Sequence, residues 1–378
     1  MKILLLTEAA ATGVGRHVCD LADGLTVRGH AVHLLYSPLR MDAAFASRVD
    51  TRRYIAEPVR IPHLAAIASV RRYIRTNGPF DVIHCHSSKA GLTGRLAAIG
   101  TGAAVLYTPH ALATMDPGWP APVRAAVRVC EKTLARLTDA IVAVSEEERR
   151  HALSLGIVPK RVEVIPNGIA RPAIDGSARQ RQRQQWSIPG HGVCIGTVGR
   201  LTRQKNVELL LRAAAEVLRT RPGSVLAVVG DGPLRRDLQS LATALGIAKS
   251  VRWLGAIDGP QAMAAFDIFA LTSRYEGFPY VFLEAMAAGL PIVTTAVGGA
   301  RALIAHQASG FIVPPDSIAT HLALLADDPS LRLAMGASAS ARVAAFSLDR
   351  MVDATVAEYG RALRATARHP SALDVPVS

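Results

Sequence analysis

Short apolar runs of strand type alternate with amphipathic helical runs along almost the whole chain, and this alternation restricts the fold more than any other feature. "KILLL" precedes a helical run from about Gly15 in which Val18, Leu21, Ala22 and Leu25 share one face. "AVHLLY", "DVIHCH", "AVLYTP", "AIVAVS" and "VEVIPN" follow as further strands, with amphipathic segments between them. Such βαβα order predicts parallel sheets with helices on both faces. Near residue 167 the rhythm breaks into "NGIARPAIDGSARQRQRQQWSIPGHG", which reads as a linker with a short entry segment. It resumes with "VCIGTVG", "NVELLLRAAAEVL", "VLAVVG", "LRRDLQSLATAL", "VRWLG" and "DIFALTS". Two α/β domains are expected, at about 1–170 and 180–345, with a final helical segment at about 346–378 packed back onto them.

The 378 residues carry a formal net charge of +13. Residues 1–180 hold 23 basic and 15 acidic side chains, a net of +8 (23 − 15). A basic N-terminal half suits anionic lipid, nucleic acid or a phosphorylated substrate, or is simply a solvated surface. With aromatic residues at 5 % and no recognisable module, a nucleic-acid-binding protein is disfavoured. Cys19, Cys85, Cys130 and Cys194 lie far apart without a CxxC pair and are expected to be buried thiols of a reducing compartment, not a disulfide frame or zinc site. "MKILLLTEAA" is too short in its apolar run for a signal peptide and reads as a first strand. The longest uncharged tract, Ala285 to Ala300, is broken by Gly289 and Pro291 and falls short of the roughly 20 residues that span a bilayer. The expected location is the cytoplasm, with any membrane contact peripheral.

Open α/β sheets bind ligands at the carboxyl ends of their strands, so the loops there are the candidate site. "TGVGRHV" follows the first strand, and Gly13 and Gly15 permit close backbone approach at a helix N-terminus. Val18 stands where the dinucleotide fingerprint needs glycine, so that pattern is incomplete. In "VGRLTRQKNVELLL", Arg200 and Lys205 flank the loop that feeds the next helix. Two cations there would hold a diphosphate and neutralise a leaving group, doing the work of a metal ion. No Asp-rich metal motif appears, and none is expected. "YTPHALA" places His110 just past a strand, where it is either structural or a partner for a substrate hydroxyl. His84 and His86 in "HCHSS" share a side of their strand, but two ligands without a third nearby do not make a zinc site.

The most informative stretch is "TSRYEGFPYVFLEAMAAGLPIV", residues 272–293. "RYEGF" reads as the loop after a buried strand and "PYVFLEAMAAG" as a helix, with Pro279 at its first turn and Gly289 past its end. Glu276 then lies on the loop and Glu284 about one turn inside the helix. Gly277 lets the backbone turn, and the amides of Phe278, Tyr280 and Val281, on either side of Pro279, are expected to face a ligand unpaired. A carboxylate accepts a bidentate pair of hydrogen bonds from vicinal hydroxyls, so two acids provide one for each sugar of a nucleotide-sugar.

These segments, together with "VIPNGI", "GDGP", "WLG" and "GFIVPPDS", resemble a family 4 glycosyltransferase of the GT-B fold over nearly the whole chain. The resemblance implies two Rossmann-like, doubly wound domains facing across a cleft, the C-terminal helix returning to the N-terminal one. It implies Glu276 on donor-sugar hydroxyls, Glu284 on the ribose, Arg200 and Lys205 on the diphosphate, His110 near the sugar C6 hydroxyl, and Leu254 in "RWLG" beside the base. Asn206, in "QKN" where the family often has "KG", is expected to cap its helix, and Ala111 stands where glycine is frequent. The implied reaction is retaining transfer by front-face attack, without a metal, from a UDP- or GDP-sugar. The "HSSKAGLTGRLAA" and "YTPHA" pattern resembles exopolysaccharide or O-antigen enzymes, implying a polyprenyl-diphosphate-linked acceptor. A nucleotide-sugar 2-epimerase of the same fold is the enzymatic alternative. In "LAAIASVRRYIRTNG", Arg71, Arg72 and Arg75 form a basic cluster that could dock on an anionic membrane, with Ile67, Val70 and Ile74 facing inward or toward lipid.

Overall fold

The computed structural model describes residues 1–61, 64–157, 162–170 and 177–368. The middle of the expected linker (171–176) and the tail beyond 368 lie outside them. The chain divides into two units, Met1–Asn167 together with the segment from Leu348, and Gly168–Ser347.

Unit 1 is built on a parallel sheet of seven strands: β1 (Lys2–Thr7), β2 (Ala31–Tyr36), β3 (Ile55–Pro58), β4 (Val82–His86), β5 (Ala104–Thr108), β6 (Ala140–Ala143) and β7 (Val162–Val164), in the order β3-β2-β1-β4-β5-β6-β7. Residues alternate between two cores. One face packs Ile3, Leu5 and Leu34 against the helix Thr12–Val27 and the C-terminal helix Leu348–Arg368. The other packs Leu4, Leu6 and Ile83 against the helices Leu64–Asn77 and Ser88–Ala97. The C-terminal helix is thus integral to unit 1. Val352 fills the space a side chain at Gly24 would need, Arg28 reaches Asp353 at 2.6 Å and Asp349 at 3.1 Å, and Tyr359 meets His84.

Unit 2 has six parallel strands: β8 (Cys194–Val198), β9 (Val225–Val229), β10 (Val251–Gly255), β11 (Ile268–Leu271), β12 (Ile292–Thr294) and β13 (Gly310–Ile312), in the order β10-β9-β8-β11-β12-β13. The strands β3, β12 and β13 are only three or four residues long, too short to show a period in the sequence. The region read as linker contains a helix, Ala178–Gln185, that belongs to unit 2. Its Arg183 is buried, pairs with Asp267 at 3.0 Å and donates to the carbonyl of Gly192.

Sheet order fixes where a ligand can go. In unit 2 the chain runs outward from β8 to β10, then returns to lay β11 on the other side of β8; in unit 1 the same reversal falls between β1 and β4. Loops leaving the carboxyl ends of strands at such a reversal diverge and open a crevice.

Candidate active site

In unit 2 the loops after β8 and β11 meet at this reversal. The Arg274 amide donates to the Gln204 carbonyl at 2.8 Å, Gln204 Nε2 donates to the Tyr275 carbonyl at 3.1 Å, and the Thr272 hydroxyl donates to the Asn206 carbonyl at 3.0 Å. The result brings Lys205 Nζ to 2.6 Å from Glu276 Oε1. The Lys205 stem runs across Gly199, where an added Cβ would come 3.2 Å from its Cε. Arg200 is exposed at the start of the same loop. Asn206 occupies the N-cap position with a left-handed backbone (φ 49°), but its side chain makes no capping hydrogen bond. The expected cap is therefore corrected: Asn206 bends the chain into the helix and offers its carbonyl to Thr272.

Glu276 is buried, and Gly298 lies so close that an added Cβ would come 2.3 Å from the Glu276 carbonyl. The helix opens one residue later than read, at Tyr280, with Pro279 in the capping position. The Phe282 amide returns to the Pro279 carbonyl at 3.1 Å, which leaves Gly277 to Val281 as the segment ahead of the first helical bond. Phe278 is buried, its ring 5.8 Å from that of Phe346. Glu284 is buried one turn into the helix, and an added Cβ at Gly259 would come 2.5 Å from its Oε2. Gly259 is thus a constraint on the second acid that the sequence reading missed. Leu254 is half-buried near the carboxyl end of the edge strand β10.

Unit 1 gathers histidines at its own reversal. His17 comes from the helix after β1, His84 and His86 from β4, and His110 from the loop after β5. His86 Nδ1 lies 3.1 Å from His110 Nε2, and the rings of His17 and His110 are 4.6 Å apart. His17 Nδ1 bonds the Asn167 side-chain oxygen at 3.0 Å. Both nitrogens of His84 are engaged, by the Tyr359 and Thr108 hydroxyls at 2.8 Å each, which removes it as a metal ligand. The expectation that no third ligand stands near is corrected: His17, His86 and His110 bring one nitrogen each within 4.8 Å of one another, a spacing that can take a divalent ion. Burial holds all four imidazoles neutral, His17 drawn down to about 4, His84 to about 3, His86 and His110 well below the ordinary range.

The loop carrying His110 is strained and anchored. His110 and Ala111 both have positive φ, 56° and 77°. The buried carboxylate of Glu148 accepts the amides of Ala111 (2.7 Å) and Leu112 (3.1 Å) through one oxygen and that of Val144 (2.8 Å) through the other. Burial pushes Glu148 up to about 7, against those three amides. The left-handed backbone explains why glycine suits position 111. Glu148 was not singled out from the sequence, although Ser145 and Glu148 form the S-x-x-E pattern of a helix start and the Ser145 hydroxyl accepts the Glu148 amide.

Gly15 lies inside the first turn of its helix rather than on an open loop, and an added Cβ would come 3.0 Å from the Phe45 ring. Its smallness serves packing against Phe45 and Ala10. Arg71, Arg72 and Arg75 are exposed, whereas Val70 and Ile74 are buried and Ile67 packs on the same core. The apolar side of this helix faces inward.

Two doubly wound parallel domains with these loops make the protein a GT-B glycosyltransferase. Residues 11–171 match the model of Glycosyltransferase Family 4, and residues 178–342 that of Glycosyl transferases group 1. A UDP-Gal:alpha-D-GlcNAc-diphosphoundecaprenol alpha-1,3-galactosyltransferase of Escherichia coli is 30 % identical over 72 % of this chain and 73 % of its own. A D-inositol 3-phosphate glycosyltransferase of Salinispora arenicola is 31 % identical over 77 % of this chain and 71 % of its own. The solved structure of Anabaena HepE with UDP and glucose superposes with a TM-score of 0.84, at 23 % identity, over 96 % of this chain and all of that one. The chain belongs to glycosyltransferase family 4.

Proposed function

We propose that the protein transfers a hexose, with retention of configuration and without a metal ion, from a UDP- or GDP-linked donor to a polyprenyl-diphosphate-linked saccharide in surface polysaccharide synthesis. The observation that carries this reading is the Lys205–Glu276 pair at the reversal of the unit 2 sheet, a cation for a diphosphate beside a carboxylate for sugar hydroxyls. Arg200 and Lys205 bind the diphosphate and take up charge as the glycosidic bond breaks. Glu276 orients the reacting sugar, Glu284 accepts the ribose hydroxyls, and Leu254 borders the base. His110, a neutral imidazole, accepts or donates one hydrogen bond to a sugar hydroxyl. The acceptor hydroxyl attacks the front face of the anomeric carbon, its proton passing to a donor phosphate oxygen as the nucleoside diphosphate leaves.

The names of the E. coli relative and of the HepE complex support a UDP donor, and the former supports the lipid-linked acceptor. The Salinispora relative favours a second acceptor, D-inositol 3-phosphate. Thermal stabilisation by UDP- and GDP-sugars selects the donor. Incubation of that donor with a short-chain polyprenyl-diphosphate saccharide, or with D-inositol 3-phosphate, selects the acceptor, and NMR of the anomeric proton reads the stereochemistry. Donor consumption without either product, with an altered sugar, would be epimerisation and would overturn the reading.

A further inference from the structure

A cavity of about 820 Å³ opens in unit 2 beyond the carboxyl ends of β11, β12 and β13. Its walls are the residues that follow these strands and the start of the helix Val207–Thr220. None of Arg200, Leu254, Glu276 or Glu284 lines it. The carboxyl ends of parallel strands are where α/β sheets hold ligands, and the volume suits a small organic molecule.

The charge in this cavity is of one sign. Arg212, Arg274 and Arg301 line it, against a single acid, Glu208. Glu208 is already paired with Arg212 at 3.0 Å. The guanidinium groups of Arg274 and Arg301 are exposed and have no partner among the described residues. Beside them, Ser273 is 2 % exposed, and its hydroxyl oxygen has no hydrogen-bond partner. The Thr295 hydroxyl has taken the Ser273 carbonyl instead, at 2.7 Å. A buried hydroxyl left unpaired is unfavourable, so the wall holds a group that an incoming ligand would satisfy. Asn206, whose side chain makes no capping bond, lines the same cavity.

Two unpartnered guanidinium groups call for an anion with several acceptor oxygens, and their forked donors match phosphate. A neighbouring hydroxyl and a side-chain amide suit the hydroxyls of a polyol. We propose that this cavity binds the phosphate ester of a small polyol, with the phosphate on Arg274 and Arg301 and the hydroxyls on Ser273 and Asn206. It is a second site beside the donor site. The Arg274 amide holds the Gln204 carbonyl, and the Thr272 hydroxyl holds the Asn206 carbonyl, so the cavity wall grips the loop on either side of Lys205. The ester is either a free metabolite or the phosphorylated end of an acceptor, and both present the same chemistry to the cavity.

The test is calorimetry of the full chain with glycerol 3-phosphate, inorganic phosphate and glycerol. Glycerol 3-phosphate should bind, inorganic phosphate about tenfold more weakly, and glycerol not at all. The variant R274Q/R301Q should lose about 100-fold or more, since each charge-assisted hydrogen bond changes binding about tenfold or more. Both side chains are exposed and unpartnered, so its melting temperature should match the parent's. Ser273→Ala should bind the ester several-fold more weakly while the ligand-free variant melts no lower than the parent, which a merely structural serine would not allow. R71Q/R72Q/R75Q, which removes exposed arginines in unit 1, should bind like the parent. UDP should bind with the ester in place, and Arg200→Gln should weaken UDP alone, so failure of the donor reading leaves the ester result standing. Competition between glycerol 3-phosphate and the polyprenyl-diphosphate saccharide or D-inositol 3-phosphate in transfer assigns the cavity to the acceptor's phosphate. Binding without such competition assigns it to a free ester. No binding by the parent, equal binding of inorganic phosphate, parental binding by R274Q/R301Q, or one-for-one displacement by UDP would each overturn the proposal.

Discussion

Lys205 Nζ and Glu276 Oε1 are 2.6 Å apart, with side chains 18 % and 9 % exposed, so each neutralises the other in a largely dry setting. In the proposed reading, a diphosphate arriving at Lys205 would compete with Glu276 for the ammonium and leave the carboxylate to find sugar hydroxyls. Donor binding and sugar orientation would then be coupled through one ion pair. Glu276→Gln keeps the shape and frees Lys205. UDP should then bind at least as tightly as to the parent while kcat falls roughly 10–100-fold, the loss of one charge-assisted hydrogen bond. Calorimetry with UDP and steady-state rates separate the two, and weaker UDP binding at an unchanged kcat would contradict the coupling.

Removing the cation should be worse. Lys205→Ala leaves Glu276 buried without its partner and, in the proposed reading, takes away leaving-group stabilisation, so activity should drop by orders of magnitude. The parent should keep its activity in EDTA. Loss in EDTA restored by Zn²⁺ or Mn²⁺ would shift the chemistry to the His17–His86–His110 group.

Glu284→Ala should weaken donor binding by roughly 1.5–3 kcal/mol. Gly259→Ala pushes only the far end of a flexible side chain, the carboxylate of Glu284. It should therefore reduce donor affinity by a smaller amount and leave the melting temperature nearly unchanged. A large loss of stability in Gly259→Ala would show that backbone fit, not the carboxylate, sets that glycine.

Ala111→Gly should raise stability by about 1 kcal/mol, because the residue sits at φ 77°. Glu148→Ala should do the opposite, releasing three amides and the loop that carries His110. Its transfer rate should fall while UDP binding, assigned to unit 2 in the proposed reading, should hold. An unchanged rate would remove Glu148 as the positioning residue for His110.

Acid should loosen unit 1. The unfolded chain protonates its histidines near the ordinary 6.5, whereas His17, His84, His86 and His110 resist protonation in the fold. Their contribution is fully present above 6.5 and is lost as pH falls toward their folded values. Glu148 acts in the other direction, binding its proton at about 7 in the fold and at about 4.5 unfolded, and burial raises Asp20, Asp23 and Glu358 with it, but His30, His33 and His151, drawn down by burial, add to the four. Melting curves stepped from pH 7 to pH 5 should shift downward, and His84→Asn should flatten the slope. Rising stability over that range would contradict the balance.

The two acids of the E-x7-E stretch were legible because their spacing on a loop and a helix start is local. The Lys205–Glu276 pair was not, since its members are 71 residues apart and meet only because β11 lies beside β8. The convergence of His17, His86 and His110 is hidden for the same reason: it depends on strand order, which periodicity does not encode. Val70 and Ile74 were ambiguous because a helix's apolar stripe looks alike whether it meets a core or a lipid.

The placement of the C-terminal helix has a consequence for how the molecule is made. Met351, Val352, Tyr359 and Ala362 belong to the same core as Ile3 and Leu5, so unit 1 is interrupted in sequence by all of unit 2. On a ribosome, unit 2 has every residue it needs before unit 1 does. The first strand synthesised waits for nearly the last helix, and until that helix arrives one face of the seven-stranded sheet is a sticky, unfinished surface for chaperones to guard.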